Sequence, residues 1–90
     1  MKITTYGDDQ VITVKLEGAL TDGWVKELLL CWHEATVMEL KRCRRIDLTG
    51  VTFVDEAGIA LLALLHRDGA ELVADGLLTR AIVEEITAIG

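Results

Sequence analysis

The ninety residues contain no serine, no asparagine and no proline. Without serine, a G-x-S-x-G nucleophile elbow is impossible. No glycine-rich phosphate loop and no G-x-G-x-x-G run follows any strand-like segment. Cysteine is scarce: Cys31 and Cys43 have no C-x-x-C spacing and no evident histidine partner. Without a secretory signal such lone thiols read as small buried hydrophobes rather than as a disulfide. The histidines, His33 and His66, are far apart and carry no metal-ligand spacing, so both read as surface or internally satisfied side chains. The opening MKITTYGDDQ has no apolar h-region. The longest apolar run, Ala57 to Leu65, is interrupted by Gly58 and falls short of the roughly 18 residues a membrane span needs. No repeat, low-complexity tract or linker is present. These absences lead to the expectation of a cytoplasmic protein, not inserted in a membrane, with no metal, no cofactor and no constellation for catalysis.

What is present suits one compact domain over residues 1–90. Apolar residues make up 51% of the chain. A chain of this size buries roughly 60% of its unfolded surface and cannot support a second core. The formal charge of −6 and pI near 4.7 argue against nucleic acid, whose phosphates are bound by clustered lysine and arginine. The exception is the basic group Lys41, Arg42, Arg44 and Arg45. It reads as a solvated strand edge, with an acidic partner or a phosphate as the sharper alternative.

Along the chain, Lys2 to Tyr6 and Val11 to Glu17 have strand character. The second alternates Ile12, Val14 and Leu16 against Thr13, Lys15 and Glu17, and GDD at Gly7 to Asp9 supplies a hairpin turn. One face of this sheet is therefore expected to be wet. From Asp22 the period changes: Trp24, Leu28, Cys31 and Ala35 form one helical stripe, with Thr21 or Asp22 able to cap it, and the helix should end near Thr36. Val37 to Lys41 then form a loop. RIDLTG, Arg45 to Gly50, is a strand with Ile46 and Leu48 on one side. A helix follows from about Glu56 to Arg67, closed by Gly69. AELVA at Ala70 to Ala74 is another strand, and a last helix runs from about Leu78 to Ile89 with Leu78, Ile82, Ile86 and Ile89 inward. This order predicts an α/β fold: a small, mostly parallel four-stranded sheet with an initial β-hairpin and helices mainly on one face.

FVDEAG, Phe53 to Gly58, falls at the turn from strand to helix, where open α/β sheets keep their functional surfaces. Helix chemistry explains much of it. Asp55 caps the helix, Glu56 meets the positive end of its dipole, and Ala57 and Gly58 allow close packing. Asp55 and Glu56 are adjacent carboxylates, but neighbours at a helix start point in different directions, which is poor geometry for an acid/base pair. The following helix is unusual. Ile59, Leu62 and Leu65 form one stripe and Leu61 and Leu64 another, so it either lies between two other helices or offers a face to another protein.

The run Ile46 to Ile86, IDLTGVTFVDEAGIALLALLHRDGAELVADGLLTRAIVEEI, resembles the STAS domain, the sulfate-transporter and anti-sigma-factor-antagonist module. The likeness rests on DLTGVTFVD as a strand ending in Asp, then small residues and Gly, an apolar helix and the strand GAELVA. It implies a docking module, not an enzyme. In the antagonists, a kinase that is also the anti-sigma factor phosphorylates a Ser or Thr just after the Asp. Those positions are held here by Glu56 and Ala57, neither of which accepts phosphate, and Glu56 would place a permanent negative charge where a phosphoserine adds about −1.5 to −2. The nearest hydroxyls, Thr49 and Thr52, precede the motif. Many members also continue past the last helix with a further strand and helix.

The resemblance thus implies an anti-sigma-antagonist-like interaction module in transcription regulation. Its partner would be a kinase-like anti-sigma factor. The alternatives are a small subunit of an ABC-type ATPase in lipid transport, whose motif is similar to DEAGIALL, and a small-ligand-binding module. A homodimer is also open. Partner binding is expected at Thr52, Asp55, Glu56, Ala57, Gly58 and Leu61, so that an arginine at Ala57 or Gly58 should abolish a complex while leaving the fold intact.

Overall fold

The computed structural model describes residues 1–38 and 43–89. Its elements are β1 (Lys2–Gly7), β2 (Val11–Leu20), α1 (Asp22–Met38), β3 (Cys43–Val54), α2 (Glu56–Arg67), β4 (Glu71–Val73) and α3 (Leu77–Ile89). The sheet order is β1-β2-β3-β4, antiparallel in the first pair and parallel in the other two. The expected order and architecture are those observed. The hairpin closes through Asp8, whose Oδ1 accepts from Gln10 N at 2.8 Å and Val11 N at 2.9 Å, so a carboxylate replaces backbone acceptors in the turn.

All three helices pack on one face of the sheet. Val14, Leu16 and Leu20 of β2 and Ile46, Leu48, Val51 and Val54 of β3 meet Leu28 and Trp32 of α1, Leu61, Leu62 and Leu65 of α2, and Ile82 and Ile86 of α3. Two register shifts between β2 and β3 shape the upper half of β3. Val51 pairs with Gly18 but Phe53 with Ala19, leaving Thr52 as an extra residue. Such a bulge reverses the alternation that follows it. Val51 and Val54 therefore both point into the core, while Thr52 and Phe53 are exposed.

Several elements depart from the sequence reading. β2 and β3 run on to Leu20 and Val54, β4 is only Glu71–Val73, and α1 continues to Met38. Residues 39–41 of the expected loop lie outside the described residues. In α1 the buried stripe is Leu28, Trp32 and Ala35 with Val25 packed alongside, whereas Trp24 is exposed and Cys31 half-buried. Leu28 and Ala35 serve either stripe by spacing, and the choice falls to Trp32 because its indole finds a partner: Nε1 donates to Asp68 Oδ2 at 2.9 Å. In α3 Leu78 is exposed and Thr79 is buried beside Ile82 and Ile86, since Thr79 closes the first turn on Gly76. Cys43 is exposed at the start of β3, so only Cys31 is even partly the buried hydrophobe expected; burial, then Glu34 and Glu27, raise its thiol pKa.

α2 ends as its sequence suggests. Gly69, at φ 104°, donates to His66 O at 3.1 Å, and Ala70 donates to Leu65 O at 3.0 Å. These two bonds form a Schellman motif that turns the chain into β4. Around this corner Arg44 acts as a bracket rather than a solvated edge. Its guanidinium lies 4.5 Å from the Trp32 ring centroid, donates to Thr36 Oγ1, and reaches Asp68 Oδ2 at 3.3 Å and Asp68 O at 2.7 Å. Arg45 pairs across the strand with Glu71 at 3.3 Å, and Lys41 and Arg42 lie outside the described residues.

The Trp32 hydrogen bond, and then the Arg44 charge, hold the Asp68 carboxyl below its usual pKa. A depressed pKa contributes stability above the unfolded value, which is lost as pH falls through the folded one. Asp68→Asn is expected to be slightly less stable than the parent at pH 7. The gap should close below about pH 4, as measured by urea melts across that range. More than half of the Asp68 side chain is exposed, so screening keeps the effect small.

Candidate functional site

At the carboxyl end of β3 the chain must leave the sheet and start a helix whose first N–H groups have no partner inside it. Asp55 meets this need twice. Its Oδ1 accepts from Gly58 N at 2.8 Å, capping α2, and its Oδ2 accepts from Asp22 N at 2.9 Å, at the first residue of α1. Its own N–H donates to Leu20 O at 3.1 Å. The N-cap role expected of Asp55 is present, and the cap expected of Thr21 or Asp22 for α1 is supplied instead by Asp55 from 33 residues away. With both oxygens committed to amides, the carboxylate is a clamp between two helix starts, not a free acid or base.

The clamp decides which residues face out. Gly58 is buried: a Cβ there would stand 2.7 Å from Val54 Cγ1 and 2.8 Å from Leu20 O. Leu61 is 5% exposed. Of the residues expected to meet a partner, these two are core, which corrects the expectation that Gly58→Arg would spare the fold. At Gly58, α2 comes too close to Val54 and Leu20 to admit a side chain, and Leu61, three residues on, lies on the same inward side of the helix. Thr52 and Glu56 are exposed, and Asp55 and Ala57 half-buried. α2 does both things its sequence allowed. It packs against α1 and α3, yet Glu56, Ala60, Leu64 and Arg67, at i, i+4, i+8 and i+11, remain exposed. Phe53 and Leu64 show 52% and 50% of their surfaces. Phe53, lifted outward by the bulge at Thr52, was missed by the strand pattern, since alternation from Val51 places it inside.

No three histidine, cysteine, aspartate or glutamate side chains gather as a metal would need among the described residues. His33 is exposed, while His66 is half-buried with a buried Nδ1 that has no hydrogen-bond partner among the described residues. That differs from the satisfied histidine expected. No described helix is long and apolar enough to cross a membrane.

No family model and no curated relative matches this chain. Solved structures do. The anti-sigma factor antagonist SpoIIAA in its unphosphorylated form superposes with a TM-score of 0.69 at 14% identity, over 92% of this chain and 82% of its own. The Bacillus cell fate determinant SpoIIAA in the phosphorylated form gives 0.66 at 14% identity, over 99% and 86%. This chain has the SpoIIAA fold. A protein of Shewanella loihica PV-4 described as having a SpoIIAA-like fold agrees, with a TM-score of 0.60 at 14% identity over 86% and 68%. The STAS-like architecture expected from the sequence is thereby established as a fold. SpoIIAA is recorded with and without phosphate. In this version of the SpoIIAA fold the turn carries Glu56 and Ala57.

Proposed function

We propose that this chain is a non-catalytic, cytoplasmic protein-interaction module of the anti-sigma-antagonist type, docking its partner on the outward side of the Asp55 turn. The observation that carries this reading is the clamp itself. Asp55 fixes the starts of α1 and α2 and leaves Glu56 exposed at the head of the exposed α2 stripe that continues through Ala60 and Leu64, with Ala57 half-buried beside it. A preorganised turn that presents a charge at the head of an exposed stripe ending in a half-exposed leucine suits a docking surface. The SpoIIAA fold supports the same reading, and Asp55, with both oxygens taken by amides, is held as a clamp.

Glu56 then acts as the fixed counterpart of a switchable phosphate. It sits in the first turn of α2, where negative charge is favoured, and is exposed. Glu56→Gln is expected to change the partner dissociation constant by clearly more than the several-fold that about 1 kcal/mol allows. The change should shrink as salt rises, because exposed charges are screened. Titration of the purified partner at two ionic strengths measures this. Equal affinities for both proteins at both salts would leave Glu56 with a role in helix stability alone, worth about 0.3–1 kcal/mol.

A further inference from the structure

The face of the sheet turned away from the helices is hollowed rather than flat. The register sets Tyr6, Thr13, Arg45 and Glu71 in one row across all four strands. Thr13 is short and 5% exposed, and it lies between the longer Tyr6 and Arg45. Over it opens a depression of about 360 Å³, also lined by Gly7, Asp8, Val11, Asp47 and Val73. That volume lies within the range of small-molecule sites, about 300–1,000 Å³.

The polar groups around this hollow are only partly used. Arg45 directs Nε and Nη2 to a single oxygen of Glu71, each at 3.3 Å, and its Nη1 has no acceptor among the described residues. Asp47 Oδ1 accepts from Thr49 N at 2.9 Å and Thr49 Oγ1 at 2.6 Å, while its Oδ2 has no donor among the described residues. The Tyr6 hydroxyl likewise has no partner among them. A cation donor and an anion acceptor thus stand two residues apart on the same side of β3, each already held by a neighbour. A simple anion drawn to Arg45 would also meet the carboxylates of Asp47 and of Asp8, whose Oδ1 holds the hairpin amides, and a simple cation would meet the guanidinium. A molecule bearing both charges satisfies both.

We infer that the open sheet face is a binding site for a small zwitterion carrying an ammonium and a carboxylate, the class of the free amino acids. The ligand carboxylate meets Arg45, its ammonium meets Asp47, and its side chain lies against Val11, Val73 and the Tyr6 ring. The site lies across the sheet from the Asp55 turn and does not depend on what that turn binds.

The test is a ¹H–¹⁵N NMR titration of the full chain with each of the twenty free L-amino acids, and with inorganic phosphate. The expected result is saturable shifts at open-face residues of β1, β2 and β3 for at least one amino acid. N-acetylation or amidation of that amino acid should weaken it by roughly tenfold or more, as should Arg45→Gln or Asp47→Asn. The side-chain carbonyl introduced by Asp47→Asn keeps the acceptor for Thr49, so the rest of the spectrum should be unchanged. Absence of saturable shifts with all twenty overturns the proposal. So does equal binding of phosphate, of the blocked amino acid, or by the Asp47→Asn protein.

Discussion

Gly58→Arg is expected to yield no cooperatively folded protein, and even Gly58→Ala should melt below the parent. An alanine favours a helix interior over glycine by about 1 kcal/mol. Here its Cβ would sit 2.7 Å from Val54 Cγ1, 2.8 Å from Leu20 O and 3.1 Å from Leu20 Cγ. One of those atoms is backbone, and Leu20 is fully buried, so neither can move away cheaply. Overpacking of this kind costs about 1–3 kcal/mol, which offsets the propensity gain and leaves a net loss of up to about 2 kcal/mol. An arginine adds a long charged chain to the same clash. A loss beyond about 4–5 kcal/mol is then expected, most of the stability available to a small protein. Circular dichroism melts of the two variants measure this. A parental midpoint for Gly58→Arg would mean that α2 does not approach β2 and β3 as closely as described.

Asp55→Ala removes an acceptor from two helices at once. Loss of an N-cap costs about 0.5–2 kcal/mol, and loss of a hydrogen bond to a charged group about 1.5–3. The expected total is about 2–5 kcal/mol, or a melting midpoint lower by roughly 10 °C or more. Asp55→Asn keeps one carbonyl acceptor and should fall between. Hydrogen exchange separates the two bonds: the amides of Asp22 and Gly58 should both lose protection in the alanine variant. If Asp22 exchanges as in the parent, Asp55 caps α2 alone and the link to α1 is not formed.

The sequence and the structure agree where information is local. The cap at Asp55, the dipole partner Glu56 and the glycine after α2 are each signalled within a few residues of where they act. The second bond of Asp55 is not, because its donor lies 33 residues earlier and nothing near Asp22 announces it. Trp24 and Trp32 were equally eligible for the core by helical spacing. What separates them is Asp68, 36 residues beyond Trp32, which satisfies the buried indole. The outward turn of Phe53 and the inward turn of Val54 come from a bulge, and register shifts leave no mark in an alternation pattern. Arg44 looked like part of a charge run because its ring and carboxylate partners come from two helices. Gly58 and Leu61 belonged to the right motif but to its buried side, a distinction that only the approach of α2 to the sheet makes.

On the proposed function, a protein partner is held by the outward side of the Asp55 turn and the exposed stripe of α2. Affinity capture with the parent, Ala57→Arg, Ala60→Arg and Leu30→Arg proteins, quantified by mass spectrometry, tests it most directly. Leu30 is exposed on α1 and serves as a control far along the chain from the turn. The parent, Ala60→Arg and Leu30→Arg proteins should melt together, with Ala57→Arg, at a half-buried site, somewhat lower. The expected result is a protein captured by the parent and by Leu30→Arg and lost from both Ala57→Arg and Ala60→Arg. Retention of every captured protein by the two alanine-site variants would contradict it.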